Sequence, residues 1–251
     1  MIQAQPKTND LLEQMNAIRK RGMVVPLDFS MMRIKREIES IKHADEVDYH
    51  QLMSAFYALT GKHDEMNRFC LICMNKYQDE ESILFAAASY STAGFYTEAV
   101  QALSRLDFKC PSSVDSKSEL AEGLFQVKMF EMFTHTLSVA NVLTEHINRT
   151  FAVFHTAGEI LSRRNISQAS VDAMLDLAWK VMRDHHILVV RNTSVLPAES
   201  DDTLTIMIPI ALPAATVAKM DWEYTERLFA ELPDAPTQSV FIGFMTNDPA
   251  H

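Results

Sequence analysis

Residues 82–111, SILFAAASYSTAGFYTEAVQALSRLDFKCP, decide how this chain is read. Two apolar segments of helical period flank a break at Gly94, with small residues at Ala87 and Ala99 and an aromatic at Tyr90. Small side chains let two antiparallel helices approach, as ridges packed into grooves require. Gly94 supplies the permissive backbone with which a helix ends and a chain reverses. Apolar Leu103 faces inward from the second helix, and Pro111 stops that helix and closes the unit. The stretch predicts a helix hairpin.

The hairpin recurs. Ser54, Tyr57, Gly61, His63, Glu65 and Met66 align with Ala87, Tyr90, Gly94, Tyr96, Glu98 and Ala99 at a constant offset of 33 residues. Cys70 and Cys73 then fall opposite Leu103 and Leu106. A third unit over 114–147 fits an offset of 34, with Ala121 at the small position, Phe130 opposite Tyr96 and Leu137 opposite Leu103. It carries Lys128 in place of the glycine and Phe133 in place of a small residue.

This pattern resembles the tetratricopeptide repeat over about two-fifths of the chain, the unit at 82–111 being the most specific. The resemblance implies stacked antiparallel helix pairs that need neighbours and caps to bury their faces. Helices expected at 9–20 and 29–42 supply the N-terminal cap, the latter through Met32, Ile34, Ile38 and Ile41. Helices expected at 151–164 and 169–185 continue downstream, where Val171, Met174, Leu175, Leu177, Ala178, Val181 and Met182 form a stripe. The fold class expected is mainly α: a right-handed stack of four or five helix pairs over 1–185, followed by a small α/β unit over 186–251.

In such repeats the first helix of each pair lines a concave groove. The matching positions are Gln51, Ala55 and Ala58, then Leu84, Ala88 and Ser91, then Ser118, Glu122 and Phe125. That lining is small, apolar and slightly acidic, and it lacks the lysine and asparagine clamp that holds a terminal carboxylate. An amphipathic segment of a protein partner, bearing basic residues, fits it better. The competing reading is that the chain's own tail covers these positions.

Beyond residue 186 the apolar period moves toward two. Strands are expected at 186–191, 203–208 and 240–245, with a helix over 213–232 presenting Val217, Met220, Tyr224 and Leu228. Pro209 ends the second strand or puts it at a sheet edge. The order resembles a ferredoxin-like fragment lacking its first strand, and the last two strands should be parallel. Homodimerisation through this unit, or its docking on the helices, would cover the open edges.

Composition narrows the function. A net charge of −10 repels a phosphate backbone, so nucleic acid is disfavoured despite a basic run over 17–42. The start of the chain lacks an apolar signal core, no apolar run approaches a membrane span, and three cysteines make no disulfide framework. A cytoplasmic, non-membrane location is expected. Cys70-Leu71-Ile72-Cys73 has the spacing of a redox dithiol or half a zinc site, but no second ligand pair accompanies it and the repeat alignment buries both thiols. His185-His186 reads as a helix-end pair, Asp201-Asp202 as a turn, and Trp179 and Trp222 as core or interface anchors. With six glycines and no phosphate-loop, nucleophile-elbow, zinc-protease or calcium-loop motif, neither catalysis nor a cofactor is expected. The function expected is that of a protein-binding adaptor, chaperone-like or regulatory protein. Two alternatives stay open: an enzyme or small-ligand site in the C-terminal unit, and an acidic regulator that competes with nucleic acid for a basic partner.

Overall fold

The structure is a computed structural model that describes residues 5–108, 114–139, 145–189 and 193–246. In chain order the elements are α1 (Gln5–Arg19), α2 (Phe29–Ile41), α3 (Glu46–Leu59), α4 (His63–Ile72) running into a π-helical turn (Cys73–Tyr77), α5 (Glu80–Thr92) and α6 (Tyr96–Leu103). They continue as α7 (Val114–Gly123), α8 (Val127–Val139), α9 (Glu145–Arg163), α10 (Gln168–Asp184), β1 (Ser194–Ala198), β2 (Thr203–Ile210), α11 (Ala214–Glu231) and β3 (Val240–Thr246). The chain is mainly helical, with one small mixed sheet toward its C-terminus.

Two compact units form: Met1–Leu106 with Arg183–Val190, and Asp107–Met182 with Arg191–His251. In the first, aspartates cap α2, α3 and α5. Asp28, Asp45 and Asp79 accept from the backbone N–H of Met31, Asp48 and Ser82, so each satisfies a donor that the first helical turn leaves unpaired. In α2 the buried stripe is Met31, Ile34, Ile38 and Ile41; Met31 takes the place expected of Met32, which is 37% exposed. With Met31 the spacing becomes three, four, three, the regular period of a helix face.

Four hairpins turn in the same way. The residue after the helix cap is left-handed at Gly61 (φ 64°), Gly94 (77°), Phe125 (50°) and Asn165 (54°). The next backbone N–H reaches five residues back in each case: Lys62 to Tyr57, Phe95 to Tyr90, Gln126 to Ala121 and Ile166 to Leu161, at 2.8 to 3.1 Å. These pairs, with a second bond from each left-handed residue three positions back, make the Schellman closure. The third hairpin therefore departs from its expected register. Its turn centres on Phe125, not Lys128, so the offset from Gly94 is 31 residues and Phe130 stands opposite Ala99. The cause is physical. Phe125 tolerates the strained backbone because its ring is fully buried 5.4 Å from that of Phe154, and the Gln168 amide donates to its carbonyl at 3.0 Å.

In the second unit β1, β2 and β3 lie in that order, β1 antiparallel and β3 parallel to β2. Leu204, Ile206, Ile208 and Ile210 alternate inward, while Val217, Met220, Tyr224 and Leu228 form the buried face of α11. The Tyr224 and Phe244 rings meet edge-on at 6.0 Å. The parallel pairing matches the expectation.

The first strand does not. Over its described residues the stretch expected at 186–191 makes a single bridge, Ile187 to Met23, with flanking bonds from Val24 to His186 and Leu188 to Gly22. Pairing with β2 falls instead to 194–198, which lies outside the three expected strands and is interrupted by Pro197. Proline is tolerated there because β1 is an edge strand. β2 runs through Pro209 to Ile210, and Pro209 has β3 alone as neighbour, since the β1 pairing stops at Met207.

Candidate functional site

The face shared by α3 and α5 begins with small polar residues. Gln51 Nε2 donates to Ser82 Oγ at 3.1 Å, and Ser54 and Ser89 join their hydroxyls at 2.9 Å. Short side chains at these positions, with Ala86 and Ala87 fully buried, allow the two helices to lie close, and the paired hydroxyls make that burial affordable. Further along, Ala55 and Ala88 are half-buried and Ala58 is buried.

Across this face lies α1. Its Leu11 and Met15 are buried, and its Leu12, Met15, Asn16 and Arg19 form one wall of a cavity of about 250 Å³. Ala55, Ala58 and Leu59 of α3 form the second wall, and Phe85, Ala88, Ser89 and Thr92 of α5 the third. The cavity exists because alanine stands where a larger side chain would fill the space between three helices. Three of the sequence-derived positions, Ala55, Ala58 and Ala88, line it. Gln51 is buried in the contact with Ser82, Leu84 is buried outside the cavity lining, and Ser91 is half-exposed outside it. The N-terminal helix covers part of this face.

The third triplet belongs to the second unit. Ser118 is buried, Glu122 is half-buried at the end of α7, and Phe125 sits in the turn with its ring inside the core. By the observed turn register, the positions equivalent to Leu84, Ala88 and Ser91 are Asp115, Glu119 and Glu122. Glu119 is exposed. Sequence reasoning missed this acidic run because it had no glycine from which to set the third turn.

The tempting chemical groups fall elsewhere. Cys70 and Cys73 are both fully buried, and the Cys70 thiol points to the Ala86 carbonyl at 3.8 Å. Burial pushes the Cys70 thiol far above its ordinary range, and pushes Cys73 up to about 12, with the Asp79 carboxylate adding to the shift. Neither is a thiolate near neutral pH. Among the described residues no three His, Cys, Asp or Glu side chains are placed to hold one ion. Asp201 and Asp202 form the β1–β2 turn, where Arg163 Nε meets Asp202 Oδ1 at 2.9 Å and Arg164 donates to the Asp201 carbonyl at 2.8 Å. Trp179 is buried and Trp222 is 68% exposed. Among the described residues no helix is long and apolar enough to cross a membrane. No family model matches the chain, and neither a curated protein nor a solved structure matches it.

Proposed function

We propose that the protein is a non-enzymatic adaptor or regulator of the tetratricopeptide-like kind, and that it holds an amphipathic helix of a partner against the alanine-rich face of α3 and α5. One observation carries the reading: the cavity walled by Ala55, Ala58 and Ala88 lies directly beneath a helix that presents Leu12 and Met15 to it. A face that accepts one amphipathic helix through small residues has the shape to accept another. The resident helix brings a cationic residue, Arg19, to the cavity wall beside Leu12 and Met15, which favours a partner with a basic residue beside its apolar stripe.

The test begins with a chain that lacks residues 1–19 and a labelled peptide of residues 5–19. Micromolar binding in fluorescence anisotropy, abolished by Ala55→Glu with Ala88→Glu, supports the proposal; a correctly folded truncated chain that ignores the peptide refutes it. Affinity capture from the source cell then compares the parent with the same double variant. Recovery of the same proteins by both would remove this face from the function.

A further inference from the structure

Helix α11 is apolar on two sides. Its inner stripe, Val217, Met220, Tyr224 and Leu228, is buried on the sheet. A second stripe runs along the outside at spacings of three and four: Ala215, Ala218, Trp222, Thr225 and Phe229. Each of these is exposed or half-exposed, and the two aromatics stand 68% and 64% open. The alternation is that of a coiled-coil seam, which buries its two positions per heptad against a facing helix. Exposed Trp and Phe at seam positions one heptad apart are the residues an interface uses as anchors.

The geometry points to a second copy of this chain as the occupant, its α11 packed antiparallel on the first about a two-fold axis near Trp222. Size and charge both select this arrangement. The seam is small at its N-terminal end and bulky at its C-terminal end, so reversal of one copy lays Phe229 over Ala215 and Ala218 of the other. Trp222 then meets its own counterpart at the axis. Lys219 and Glu226, both exposed, lie seven residues apart on the same flank of the seam and nearly equidistant from Trp222. In an antiparallel pair like flanks face each other, so Lys219 of each copy meets Glu226 of the other, giving two charge pairs. A parallel pair sets bulky against bulky and forfeits both charge contacts. The interface is self-complementary, as a two-fold contact must be. A single pair of 18-residue helices buries less than the about 800 Å² per partner of a standard interface, so the dimer is reversible and concentration-dependent. The helix-binding face of the first unit plays no part, so this inference stands apart from the proposed function.

Sedimentation equilibrium on the full chain from about 1 to 500 μM tests it. A mass rising from one chain to two is expected, with Trp222→Ala plus Phe229→Ala remaining a single chain throughout. Both side chains are exposed, so at about 1 μM, where the parent is also a single chain, that variant keeps the parent's melting curve. Lys219→Glu and Glu226→Lys should each weaken the dimer about tenfold, and the two together should restore it to within about threefold. A parent that stays monomeric at the highest concentration overturns the proposal. So does a dimer indifferent to the aromatic substitutions, or a double charge swap no tighter than either single one.

Discussion

At the residue scale, Gly61 shows how one backbone angle holds a hairpin. Its φ of 64° is open to glycine at no steric cost, and a β-carbon there would sit 2.9 Å from Cγ1 of Val24. Gly61→Ala should therefore cost about 1–3 kcal/mol, read as a lower urea midpoint with unchanged slope. Asn165 occupies the same conformation with a side chain, so Asn165→Gly should gain up to about 1 kcal/mol in the same assay. His63 supplies a pH dependence. Burial, with the positive charge of Arg183 next and His186 contributing, depresses its pKa, while Asp64 acts the other way. The unfolded chain then binds the extra proton first. Stability is complete above the unfolded value of about 6.5 and falls as the pH drops from there through the folded pKa. Replacing His63 with Gln should flatten the change in melting temperature across that window. The buried thiols give a chemical check: in a Cys110→Ser background, Cys70 and Cys73 should react with a thiol reagent at pH 8 only when the chain unfolds.

At the scale of elements, legibility followed the strength of each local signal. The α3–α4 and α5–α6 hairpins were readable because glycine marks the left-handed position in each. The α7–α8 hairpin uses Phe125 and the α9–α10 hairpin Asn165, so the same closure carries no common letter, and the third register slipped by three residues. That slip put Phe125 in the expected groove, where the fold puts it in the core, and it hid Glu119. β2 and β3 were legible from clean alternation, whereas β1 is short, half-buried and interrupted by Pro197, and only its pairing with β2 defines it. α1 was foreseen as a cap but not as the cover of the alanine face, because a stripe of Leu11, Leu12 and Met15 says that a helix packs without saying on what. Two aspartates in this stripe should release it: Leu11→Asp with Met15→Asp should raise amide exchange along α1 to the level of an unfolded peptide. The amides of α3 and α5 should keep most of their protection, since their mutual contact runs through Ser54 and Ser89. Equal loss of protection in all three helices would mean that α1 is an integral part of the core, which would weaken the case that another helix can replace it.

On the scale of the whole molecule, the two packing units interleave along the chain, and local periodicity carries no sign of this. Residues Arg183–Val190 leave the helical run at the end of α10 and pack with the unit formed by the first 106 residues. There the segment behaves as a clip. Ile187 and Leu188 are 2% exposed, Leu188 N–H reaches the Gly22 carbonyl at 3.0 Å, His186 accepts from Val24 at 2.9 Å, and Val189 donates to the Thr92 carbonyl at 2.9 Å. Arg183 adds a guanidinium 4.5 Å from the centre of the Phe95 ring and a hydrogen bond to the Gly94 carbonyl, at the turn that closes the α5–α6 hairpin. The apolar run that suggested a strand at 186–191 is thus apolar for a different reason: it completes a helical core. An aspartate at Ile187 would place a charge in that core without a partner, a change that costs several kcal/mol. Ile187→Asp should therefore cut protection of the α3 and α5 amides in hydrogen exchange, while the β2 and β3 amides, which belong to the other unit, hold at the parent level. If instead the sheet amides lose protection and α3 and α5 keep theirs, the segment would serve the second unit, and the assignment of Arg183–Val190 to the first would fail.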